Sequence, residues 1–71
     1  MLTTTQAQPR MLAGDTIRKE RDEHRTEARA LRKLADVHRM YGHQEAAVLA
    51  DKQAAVHEHD AALLTRVLGE S

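Results

Sequence analysis

The apolar residues recur at three- and four-residue intervals over two long stretches, and a single glycine separates them. In the first, Ile17, His24, Ala28, Leu31, Leu34, Ala35 and His38 share one helical face, with Tyr41 at its edge. In the second, Leu49, Val56, Leu63 and Val67 form a line that Ala46, Ala50, Ala61, Leu64 and Leu68 widen into a stripe. Neither stretch contains proline or glycine between Asp15 and Tyr41 or between His43 and Leu68. Gly42 therefore predicts a reversal, because glycine enters the left-handed region that ends a helix at little cost. The pattern predicts an all-α fold, an antiparallel two-helix hairpin with helices over about residues 15–41 and 43–68. Asp15 or Thr16 is the expected N-cap of the first helix, and Gly69 the residue that closes the second.

The domain reading is a flexible N-terminal tail over 1–14, with a short turn at Pro9–Ala13, followed by a hairpin over 15–69. At 71 residues the chain holds one small domain, and its composition thins the core further. Phe, Trp and Cys are absent, Tyr41 is the only aromatic, and many packing positions are alanine. A lone hairpin built this way leaves apolar surface wet, so the expected assembly is a dimer forming a four-helix bundle, or a hairpin docked on another protein. The residues expected to carry these contacts are Ile17, Ala28, Leu31, Leu34, Ala35, Leu49, Val56, Leu63, Leu64 and Val67.

Charge refines the picture. The formal net charge is zero, yet nine basic and six acidic residues precede Gly42, whereas two basic and five acidic residues follow it. Folding back sets a basic helix beside an acidic one. Arg18, Arg21, Arg25, Arg29 and Arg32 form a ridge on the first helix, continued by Arg39. Read as a solvated flank, the ridge is laced by pairs such as Arg18–Asp22, Asp22–Arg25 and Arg32–Asp36. Read as a binding surface, it would meet an acidic partner or a nucleic-acid backbone, although Asp36 interrupts it and no aromatics are interleaved for base stacking.

Polar groups fall on the inward stripe as well. With the turn at Gly42, His24 is expected opposite Asp60 or Ala61, Ala28 opposite His57, Leu31 opposite Ala54, Ala35 opposite Ala50, and Ile17 opposite Leu68. His24 and Asp60 are thus expected as a buried polar pair that fixes the register. A metal centre is the alternative use of His24, His57 and Asp60, with Glu20 and Glu27 facing them, but the Glu-x-x-His spacing of carboxylate-bridged bundles is absent. The reading therefore calls for no cofactor.

The stretch ALRKLADVHRMYGHQEAAVLADKQAA, within Ala28–Ala55, resembles a single tetratricopeptide-repeat (TPR) hairpin: Leu31, Leu34 with Ala35, Gly42, and Ala47 with Ala54 fill its pattern. His38 and Asp51 stand where that repeat carries other residues, and no second copy follows at the repeat spacing. The resemblance implies protein–protein interaction. No Gly-rich phosphate loop and no nucleophile with a placed base is present, and no signal or membrane-length apolar run is read, so the chain is expected to be a non-catalytic, cytoplasmic interaction module. A small nucleic-acid-associated regulator using the arginine ridge is the alternative.

Overall fold

The computed structural model describes the backbone of residues 2–70 and the side chains of residues 13–70. Two helices, α1 (Leu2–Met40) and α2 (Gln44–Val67), pack against each other, and no strand is present among the described residues. The reversal lies at Gly42, whose φ is +78°. The Gly42 N–H donates to the Arg39 carbonyl at 3.1 Å and the His43 N–H to that of His38 at 2.8 Å. These are the paired bonds of a Schellman closure, which satisfies carbonyls that the helix end would otherwise leave open. The same pattern ends α2, where Gly69 (φ +77°) donates to Arg66 and Glu70 to Thr65. Both glycines thus occupy the left-handed positions their placement predicts.

The start of α1 differs from expectation. Helix α1 begins at Leu2, so neither the turn at Pro9–Ala13 nor an N-cap at Asp15 or Thr16 marks a boundary, while Met1 lies outside the described residues. Gly14 is helical, not left-handed. One interior glycine costs a helix only about 1 kcal/mol, too little by itself to end a long helix. At their other ends the two helices fall within a residue or so of the predicted limits.

The two helices meet along a seam in which residues recur at alternating four- and three-residue steps. On α1 the seam runs through Ile17, Arg21, His24, Ala28, Leu31, Ala35 and His38; on α2, through Ala47, Ala50, Ala54, His57, Ala61, Leu64 and Leu68. Every one of these is buried or half-buried. A seven-residue repeat of this form is the pattern of an antiparallel coiled coil. The buried members are all alanine: Ala28, Ala35, Ala47, Ala50, Ala54 and Ala61. Leu49, Val56, Leu63 and Val67, the line expected to lead the inward face of α2, are instead exposed. Alanine methyls let two backbones approach closely, and that approach turns the helix so the larger side chains fall outside the seam.

Ala54 is fully buried whereas Ala55 is exposed. Ala54→Leu is expected to destabilise the hairpin by about 1–3 kcal/mol through overpacking, with Ala55→Leu near neutral, as read by urea unfolding followed by circular dichroism. At Gly42 an added Cβ would meet nothing within 4 Å, so the cost of Gly42→Ala is conformational. It is expected at about 1–2 kcal/mol in the same assay, with Gly42→Asn milder.

Candidate interaction surface

The seam divides the hairpin into two unlike edges. On one, Arg18, Arg25, Arg32 and Arg39 stand seven residues apart on α1 and face Asp51, Glu58 and Thr65, also seven apart, on α2. Arg32 reaches Asp51 at 2.9 Å and Glu58 at 2.8 Å, and Arg39 reaches Asp51 at 2.8 Å while holding Asp36 at 2.6 Å. Arg25 donates to the Thr65 hydroxyl at 3.4 Å and lies 3.8 Å from Asp22. At the open end Arg18 and Arg21 both bind Glu70, Arg18 at 3.2 Å. Arg21 also bonds Asp22, Arg18 also bonds Asp15, and Arg29 donates to Thr26.

The ridge is therefore a cross-helix ladder. Of the pairs expected within α1, Asp22–Arg25 forms; Arg32 bypasses Asp36 for the carboxylates of α2, and Arg18 takes Asp15 and Glu70 in place of Asp22. The basic-against-acidic arrangement of the two halves explains the choice, since one guanidinium fork can bind two carboxylates across the seam. Hydrogen bonds from Arg39 and then Arg32 hold the Asp51 carboxyl below the ordinary range. Arg32 does the same for Glu58, and Arg21 followed by Arg18 for Glu70. Conversely, these carboxylates raise the affinity of Arg21, Arg32 and Arg39 for their protons.

Within the seam, His24 and His57 meet. Their Nδ1 atoms lie 2.8 Å apart and their ring centroids 5.0 Å apart, so one imidazole donates and the other accepts. This corrects the expected His24–Asp60 pair: both histidines occupy the seam line, whereas Asp60 sits one step round α2, half-buried. No polar side chain is fully buried among the described residues. Two imidazole nitrogens converge here, but no group of three or more His, Asp or Glu side chains placed to hold a metal is found among those residues, His24, His57 and Asp60 included.

The opposite edge is apolar in part, with Glu20 and Glu27 at the same seven-residue spacing as Leu34 and Tyr41. Leu34, Val37 and Tyr41 of α1, and Leu49, Val56, Leu63 and Val67 of α2, are exposed there, while Ile17, Leu31 and Leu64 are half-buried in the seam and Ala28 and Ala35 fully buried. The ten residues expected to form contacts thus split between two surfaces. Five close the hairpin, and Leu34, Leu49, Val56, Leu63 and Val67 lie open. Hydropathy alone cannot separate these groups, because it weights alanine below the leucines that the fold leaves outside. No helix among the described residues is long and apolar enough to cross a membrane. No family model, curated protein or solved structure matches the chain.

The lowered proton affinities of Asp51, Glu58 and Glu70 fix the sign of an acid effect. These groups stabilise the fold above the ordinary carboxylate range near about pH 4, and the contribution is lost as pH falls through their lower folded-state values. The melting temperature followed by circular dichroism is expected to drop as pH falls through and below that range. Arg32→Gln is expected to give a shallower drop, and raised salt to flatten it.

Proposed function

We propose that the chain is a non-catalytic protein–protein interaction and assembly module whose hairpin associates with a second copy to make a four-helix bundle. The observation that carries this reading is the composition of the core. Only alanines are buried, while nine large apolar side chains are exposed among the described residues. A buried methyl group contributes about 0.8 kcal/mol, against about 1.5–3 kcal/mol for a whole Val or Leu side chain. Alanines, helped by half-buried Ile17, Leu31, Leu64 and Leu68, close the hairpin, and the nine exposed side chains remain for an outer contact.

The distribution of charge supports the same reading. The arginine edge is satisfied within the hairpin, so the apolar edge is the surface with most to gain from a partner. The resemblance of Ala28–Ala55 to a TPR hairpin points the same way, towards interaction between proteins. The nucleic-acid alternative draws no comparable support, since the ridge it requires is spent largely on Asp51, Glu58 and Glu70.

Sedimentation equilibrium at micromolar concentration is expected to give twice the chain mass, and the melting temperature is expected to rise with protein concentration, as it does when folding and association are linked. A monomer that unfolds cooperatively at a concentration-independent temperature would overturn the proposal.

A further inference from the structure

The outward line of α2 has an internal symmetry. Leu49, Val56 and Leu63, exposed at 57%, 59% and 41%, are spaced seven residues apart, so they lie along one side of the helix away from the arginine ladder. Reading outward from Val56, leucine stands seven positions away in both directions. Glu45 lies eleven residues before it and Arg66 ten after, on one flank of the line; Gln53 lies three before and Asp60 four after, on the other.

We infer, resting on the self-association proposed above, that two hairpins pair about a twofold axis passing beside Val56, with α2 of one antiparallel to α2 of the other. An antiparallel twofold reverses residue order, so it seats Val56 against its own copy and each Leu49 against the other chain's Leu63. On the flanks it brings each Glu45 carboxylate to an Arg66 guanidinium and each Gln53 amide to an Asp60 carboxylate. Glu45 and Arg66 make no ion pair with each other or with any other group among the described residues. A parallel pairing of the same helices would instead set the Glu45/Arg66 flank of each against the Gln53/Asp60 flank of the other, which offers Glu45 no basic partner. Symmetry of this kind about one residue fits a second copy of the chain as the occupant, because an unrelated protein places no such demand on the sequence.

The chain has no cysteine, so a single introduced thiol reports one position. Val56→Cys is expected to form a disulfide-linked dimer on mild oxidation about a hundredfold faster than Ala55→Cys, because pairing raises the effective thiol concentration from micromolar towards millimolar. Leu49→Cys and Leu63→Cys are each expected to stay unlinked alone and to link to one another when mixed. A dimer by sedimentation in which Val56→Cys links no faster than Ala55→Cys and the mixed pair does not link, or in which Leu49→Cys links to itself, overturns this pairing and leaves self-association standing. A monomer at micromolar concentration overturns both.

Discussion

Close approach of two backbones over alanine is the constraint from which the rest of the hairpin follows. Ala28 and Ala35 on one helix and Ala47, Ala50, Ala54 and Ala61 on the other are the whole buried core among the described residues. A seam of methyl groups brings many atom pairs into van der Waals range although each residue removes little apolar area from water. It also dictates rotation about the helix axis. Once Ala54 points at the partner helix, Asp51 and Glu58 must fall on one edge, and Leu49, Val56 and Leu63 on the outside.

The arginine ladder is best understood as a guide to register. Its members are solvent-accessible, and exposed ion pairs of this kind contribute little each. Their arrangement is what matters: arginines at seven-residue intervals on α1 meet Asp51, Glu58 and Thr65 at the same interval on α2. Two short glycine closures, at Gly42 and Gly69, set where the antiparallel run starts and stops. The His24–His57 contact lies midway along the seam and adds a polar pairing that alanines cannot provide. Alanine specifies closeness without specifying register, so charge and imidazole supply the information that the core lacks.

The parts of this fold legible in the sequence are those encoded by residues with strong local signatures. Gly42 and Gly69 announce the turn and the stop, and the charge difference between the two halves announces antiparallel pairing. The inward face of α2 is less legible, because Leu49, Val56 and Leu63 outweigh Ala47, Ala54 and Ala61 in any count of hydrophobicity while the alanines take the interior. Period-seven alanine is the available signal. Likewise, a register counted from Gly42 sets His24 opposite Asp60 or Ala61, whereas the packed seam brings His24 to His57. The start of α1 is hidden for another reason: Gly14 reads as a break, yet its energetic penalty is small compared with the cooperative gain of continuing a long helix.

An alanine seam also changes what the remaining apolar residues can do. In a hairpin closed by leucines, one stripe per helix would suffice and the outer faces could be polar throughout. Here the buried positions are alanine, with only Ile17, Leu31, Leu64 and Leu68 adding larger apolar groups to the seam, so α2 holds two period-seven lines, one through Ala47, Ala54 and Ala61 and one through Leu49, Val56 and Leu63. The first is matched by Ala28 and Ala35 of α1, a partner held in the same chain. The second has no counterpart of equal size in α1, where Leu34, Val37 and Tyr41 cluster towards the turn. A line that extends along most of α2 and repeats itself in reverse about Val56 is most fully matched by the same helix from another copy, which is why a two-helix chain of this composition points to a four-helix assembly.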